Sequence, residues 1–572
     1  MPKRKSLFLA VTLLLIVGVM PMAAGARPAQ PAALPALDED LLAALDNGGA
    51  AAFFVKMSVE ADLRTAFGLP WAERGAFVWR ALQEVAEKSQ APVLGYAEEH
   101  QLEAESLLAV NAVYIRRGDL RSALDLAALP GVAYLRLEHV YPVEDLATPE
   151  GEVSWGLVDV KAPDVWAMGY RGAGAKVASI DTGVQWDHPA LIGQYGCPDD
   201  PGNPACWYDP ANICGGVPCD NNGHGTHVTG TMAADDDPSL AHTVGVAPDT
   251  TWIACKGCES AACSDYALNA CADWVLAPGG DPANRPDAVN NSWGGGGGDP
   301  WYQAKVQAWL AAGIFGGFSA GGTGPGCATL GSPCDYPEVF CTTGHAEDRI
   351  HASFASVGPG AFGDAPYTKP NISAPAVNIW STLPSSSWAV YSGTSMASPH
   401  SIGAVALILS ACPSLKGDVF GLFEVLQDNA DPAPDGSCGA PPGDAGNYTY
   451  GYGYLNVLGA LEACAAQTMH VGNISLRYKV VGLQRIVQAQ VPVLNGGGNL
   501  LPGVAVRVQW TLPNGRVLPE QEAATNSRGY ARFQVGRPQA GWYNVCVTGL
   551  ELDGYLYAEG DNLETCDGVT TP

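Results

Sequence analysis

The sequence predicts an α/β protein. Its centre is a doubly wound, mostly parallel sheet domain, with a small α+β domain before it and an all-β sandwich-like domain after it. Three observations lead there. From about Val153 to Ala466, short apolar strands alternate with helical stretches among many glycines, the pattern of a parallel sheet covered on both faces. After Met469 the apolar period drops to two, the mark of half-buried antiparallel strands. Before residue 148, helix and strand patterns alternate in a stretch without cysteine, whereas all 16 cysteines come at Cys197 or later. A chain of 572 residues also exceeds what one core usually organises, so several domains are expected.

Residues 1–26 read as an export signal. Lys3, Arg4 and Lys5 precede an apolar stretch from Leu7 to Val19, and Ala24-Gly25-Ala26 offers small residues for cleavage. The apolar run is short for a membrane anchor. The rest of the chain lacks the ~20 consecutive apolar residues a spanning helix needs, so no membrane association is expected once the signal is removed.

Residues 27–148 form the α+β unit. Ala52–Met57, Leu107–Ile115 and Val132–Leu137 are strand-like; Phe77–Lys88 and Leu120–Leu129 carry helical spacing, the first with Val78, Leu82 and Val85 on one face. The acidic, turn-rich stretch from Pro142 to Glu152 suits a linker or a cleavage site. Residues 149–466 are the α/β unit, in which Lys176–Ile180 is a strand ending at Asp181 and Thr394–Ala411 a long apolar helix. In residues 467–572, Val504, Val506, Val508 and Trp510 alternate with polar neighbours, and Asn514-Gly515 supplies a hairpin turn.

Composition narrows function. The net charge of −28 repels polyanions, so nucleic acid is excluded as a partner. The spacing Cys255-Lys256-Gly257-Cys258 fits a metal ligand pair, but no second pair with histidine matches it. An exported chain oxidises its thiols, so disulfides are expected, in a connectivity the sequence leaves open.

Three segments place reactive side chains where elements begin or end. They are Asp181-Thr182-Gly183 after a strand, His224-Gly225-Thr226-His227 opening a helix, and Gly393-Thr394-Ser395-Met396-Ala397-Ser398-Pro399-His400 leading into the long helix. A serine hydroxyl becomes nucleophilic when an imidazole takes its proton, and the imidazole needs a carboxylate to hold its tautomer. A helix N-terminus at Ser395 also directs free N–H groups at developing negative charge.

On these motifs, residues 153 to about 466 resemble the catalytic domain of the subtilase family, in its bacillopeptidase F-like branch. Gly245-Val246-Ala247-Pro248, Asn291-Ser292-Trp293-Gly294 and Ser373-Ala374-Pro375 strengthen the resemblance. It implies a subtilisin-like fold and a secreted serine endopeptidase acting on proteins or peptides. Ser395 would be the nucleophile, His224 the general base and acid, and Asp181 the orienting carboxylate. It implies that Ser292, Trp293 and Gly294, and Ser319, Ala320 and Gly321, flank the bound peptide. Residues 27–148 match the family's pro-domain, an intramolecular inhibitor removed on maturation. No cofactor is expected for catalysis, and a monomer is expected.

Two departures stand out. The family's oxyanion asparagine falls at Gly322, in the run Ser319-Ala320-Gly321-Gly322. Removing that donor costs roughly 10²–10³ in turnover, a figure measured on subtilisin itself, so a slow or selective peptidase is expected. Many subtilases also bind calcium through an acid that here is Ala190, before Leu191. Structural calcium elsewhere stays open with its ligands unassigned: Asp187, Asp199 and Asp200 either bind it or, the reading favoured, form a solvated acidic face. The alternative to an enzyme is a non-catalytic binding protein on a subtilase scaffold. A zinc peptidase would show His-Glu-x-x-His, and a lipase Gly-x-Ser-x-Gly with the order Ser, Asp, His.

Overall fold

The computed structural model describes residues 36–142, 146–147, 154–236, 242–362, 368–434, 436–440, 446–481, 484–496, 498–536, 538–552 and 555–572. The expected export signal and much of the linker lie outside them.

The run Phe53-Phe54-Val55 is apolar on both sides of its strand because both faces of the N-terminal sheet are covered. Five strands run in the order Ala36–Leu37, Val132–Leu137, Ala50–Met57, Ala112–Asp119, Ala104–Leu107. Phe53, Val55 and Met57 pack with Val93, Leu126 and Ile115 beneath the domain's own helices. Phe54, Leu107 and Tyr114 instead pack against Tyr266, Ala270 and Trp301 of the following domain. The helix expected over Phe77–Lys88 is longer than its spacing predicts, Trp71–Glu99, and carries Pro92 inside it; a short helix, Glu39–Leu45, precedes it. The stretch Leu107–Ile115, expected as one strand, is a hairpin. Asn111 turns the chain with φ 45°, and its side-chain amide donates to the Val59 carbonyl. Its apolar neighbours hide that turn from a reading by pattern.

The central sheet has seven strands, ordered Ile372–Pro375, Phe340–His345, Phe315–Ser319, Ala288–Asn291, Lys176–Asp181, Thr251–Lys256, Trp207–Tyr208. Every pairing among them is parallel. Lys176–Asp181 comes first in the chain yet sits between two later strands. Strand order reverses there, and in such sheets ligands bind beyond the carboxyl ends at that point. The helix Thr394–Ala411 is buried from Thr394 to Leu409, as a helix apolar all round must be. It crosses the core with its N-terminus at that same end.

The C-terminal strands form two sheets. The longest strand of the first is Gln484–Asn495, and Ala505–Thr511 and Gly541–Glu551 are central to the second. Val504, Val506, Val508 and Trp510 are fully buried between them, as the period-two pattern requires, whereas Trp542 is 56% exposed. All 16 cysteines are joined in eight disulfides, Cys255 with Cys271 and Cys258 with Cys263 among them. That removes the metal reading of the Cys255–Cys258 pair. Among the described residues no helix is long and apolar enough to cross a membrane.

Candidate active site

Asp181 ends its strand 1% exposed, and Oδ1 accepts the Thr182 N–H at 2.7 Å. The same oxygen lies 2.7 Å from Nδ1 of His224, which is fully buried. A charge-bearing group this deep needs its partner, because a lone buried carboxylate is strongly disfavoured.

The loop that delivers His224 is tied down by Asp220. Its Oδ1 accepts the N–H groups of Asn222 and Gly223 at 3.0 and 2.8 Å and the Thr182 hydroxyl at 2.9 Å. Its Oδ2 accepts the Thr226 N–H and hydroxyl. Thr182 Oγ1 in turn accepts the Gly225 N–H at 2.8 Å. The strand end and the helix start are thus laced together. Gly225 is obligatory there, since a Cβ would fall 2.0 Å from the Gly183 carbonyl oxygen.

Lys256 lies opposite Asp181 in the parallel ladder. Its buried ammonium donates to the Thr182 carbonyl and, at 2.8 Å, to Asn221 Oδ1. Burial lowers its pKa. Neither Asp220 nor Lys256 was singled out by motif. The signals were present: a turn-forming Asp220-Asn221-Asn222-Gly223 run, and a lysine ending an otherwise apolar strand.

Ser395 is the second residue of the long helix and 8% exposed. Its hydroxyl donates to the Ser292 carbonyl at 3.2 Å, and the Ser292 hydroxyl donates to the Ser395 carbonyl at 2.8 Å. Met396 packs against Val228, so the helices opening at Ser395 and His224 lie against each other. His227 is a packing residue. It stacks on Tyr391 and hydrogen-bonds the Ile379 carbonyl, and burial together with His224 pushes its pKa down to about 3.

A cavity of about 880 Å³ opens beside Ser395. Ser292, Trp293 and Gly294 form one wall, and Ser319, Ala320, Gly321 and Gly322 another, so the residues expected to flank a peptide share one cleft. Thr394 Oγ1 accepts the Gly321 N–H at 3.1 Å. Trp293 serves both core and cleft: its indole N–H donates to the Ile180 carbonyl at 3.0 Å.

A model described as the subtilase family matches residues 172–453. Bacillopeptidase F of Bacillus subtilis (strain 168) is 40% identical over 349 residues, 58% of this chain and 23% of that protein. Subtilisin NAT of Bacillus subtilis subsp. natto is 32% identical over 300 residues, 52% of this chain and 70% of that protein. The chain belongs to the subtilase family. Subtilisin E of Bacillus subtilis (strain 168) is 31% identical over the same length. The chain's 40% identity to bacillopeptidase F extends over only 23% of that protein's length. Ala190, the position the family resemblance assigns to a calcium-binding acid, is fully buried, and its N–H donates to His188 Nδ1 at 3.1 Å. That position offers no oxygen ligand from a side chain, and a calcium ion does not fit there.

Proposed function

We propose that this subtilase is a secreted serine endopeptidase, made as a zymogen that cleaves itself. His224 takes the Ser395 proton as Oγ bonds to a peptide carbonyl carbon. It then passes that proton to the leaving amine as the C–N bond breaks, and water releases the acyl group by the same route. Asp181 holds the imidazole in the required tautomer. The oxyanion is met by the Ser395 N–H at the helix start. Gly322 contributes no side-chain amide, which makes the enzyme slow or selective. No cofactor takes part, and the enzyme works as a monomer on protein or peptide substrates, with no nucleic acid or membrane as partner.

One observation carries the zymogen reading: the chain's own linker flanks Ser395 as a substrate would. Val140–Pro142 pairs antiparallel with Ala262–Ser264, and Leu146–Ala147 pairs antiparallel with Tyr391–Ser392, just before Gly393-Thr394-Ser395. Adding a strand to a cleft edge is how extended peptides bind. These flanks support a cut between Pro142 and Leu146, slightly before the 148/149 boundary read from composition. Residues 27–148 then act as the intramolecular inhibitor.

The second reading, a non-catalytic scaffold, is motivated by Gly322 alone. Secreted wild type and Ser395→Ala, compared for chain length and casein hydrolysis, separate the two. Shortening and digestion by wild type alone support the peptidase. An uncut, inactive wild type favours the scaffold.

A further inference from the structure

Asp265 stands at the upstream end of the cleft, where it begins the helix Asp265–Leu276. Its carboxylate does not cap that helix: the Ser264 hydroxyl does, accepting the Ala267 N–H at 3.2 Å. It is 2% exposed, and among the described residues its polar partners come from the segment ahead of the cut. The His139 N–H reaches Oδ2 at 3.1 Å and Arg136 Nη2 at 3.7 Å; Arg136 Nη2 also donates to the Tyr141 hydroxyl at 3.4 Å, and burial together with the nearby Asp265 carboxyl raises the Tyr141 pKa. The Asp265 N–H also donates to the His139 carbonyl at 2.9 Å. Residue 139 thus extends the ladder that Val140–Pro142 makes on Ala262–Ser264.

Tyr141 lines a small pocket together with Leu268, Trp293, Gly295 and Tyr302, and Asp265 and Asp299 line it as well. Arg136 spans the two carboxylates, 2.7 Å from Asp299 Oδ2, and lies over the Trp301 ring at 4.8 Å. A carboxylate in such surroundings is costly unless donors compensate it, and burial raises the Asp265 pKa accordingly. When the N-terminal domain departs, Arg136, His139 and Tyr141 leave together. The mature cleft keeps an apolar slot closed by two carboxylates, and an incoming peptide must supply the donors.

We infer that Asp265 is a specificity-determining residue of this peptidase. It selects, at the position Tyr141 holds, a side chain with an apolar body and a hydrogen-bond donor at its tip. Tyrosine, lysine and arginine are preferred over phenylalanine, and phenylalanine over glutamate. The inference rests on the peptidase reading above and names that enzyme's substrate class.

The test uses self-processed enzyme, its active serines counted by fluorophosphonate titration. Four synthetic peptides carry the chain's own residues 139–149, with Tyr141 kept or replaced by Phe, Lys or Glu. Replacement by Phe is expected to lower kcat/KM about tenfold, the worth of one hydrogen bond to a charged group. Lys stays within about threefold of Tyr, its ammonium donating to the carboxylate instead. Glu loses about a hundredfold, because like charges then meet in a partly dry pocket. In Asp265→Asn, measured with the same peptides per titrated serine, the Glu penalty shrinks and the ranking of Lys above Phe disappears. Equal rates for Tyr, Phe and Glu on wild type overturn the inference alone, as does an unaltered ranking in Asp265→Asn. A chain with no titratable serine overturns the peptidase reading and this inference with it.

Discussion

Gly295 and Tyr141 touch across the lip of the cleft: a Cβ on Gly295 would fall 2.6 Å from Cε1 of the Tyr141 ring. The ring is half-buried in its pocket and cannot swing freely aside, so the missing side chain is what admits it. Gly295→Ala should therefore weaken the hold of the cut N-terminal domain by about tenfold, since overpacking of a filled site costs on the order of 1–3 kcal/mol. The measurement is the delay between chain cutting and full activity, which shortens in the variant. An unchanged delay would mean that the pocket does not hold the inhibitor.

The 2.7 Å contact between Asp181 and His224 sets the imidazole tautomer. Asp181→Asn should lower kcat roughly 10⁴-fold, as the same change does in another Ser–His–Asp triad, while binding survives. Single-turnover assays with an ester substrate read the chemical step directly. A loss below tenfold would remove Asp181 from the reaction.

Gly322 lines the cavity wall beside Ser395, at the position the family resemblance assigns to an oxyanion asparagine. Gly322→Asn should raise turnover on casein by roughly 10², the lower end of what that donor is worth in subtilisin. KM should change little, because the donor acts on charge that develops only in the transition state. An unchanged kcat would show that another donor already fills the place.

Lys369 is fully buried, donating to the Val339 carbonyl and to Asn371 Oδ1, and burial pushes its pKa down to about 7. The unfolded chain keeps that proton to about 10.4. Between these values the unfolded state binds more protons, so this group makes stability rise with pH from about 7 to 9. Guanidinium unfolding of Ser395→Ala across that range checks the slope. Lys369→Met in the same background should flatten it, and a slope that persists would acquit the lysine.

The triad motifs, the sheet domain and the C-terminal period were legible because each is local. Asp181 follows an apolar strand, Ser395 opens a helix, and Val504 to Trp510 alternate strictly. The hairpin at Asn111 was not legible, since its turn is held by the Val59 carbonyl and by Ser89 and Gln90, 22 and 21 residues away in sequence. Asp220 escaped for a similar reason. Its importance lies in lacing Thr182 to the His224 loop, and no residue pattern announces a partner 38 positions away.

By itself the sequence determined the family and the fold class, and it placed Asp181, His224 and Ser395, the residues proposed to react, at element ends, because the proposed chemistry demands those residue types there. Only the tertiary structure decided which cysteines pair, that both faces of the N-terminal sheet are buried, and that Arg136, His139 and Tyr141 gather about the Asp265 carboxyl. The contacts of Phe54 and of Asp265 join segments more than a hundred residues apart, and most disulfides close shorter loops that no spacing distinguishes. They depend on how the twist and packing of two sheets bring surfaces together, and no local pattern encodes that distance.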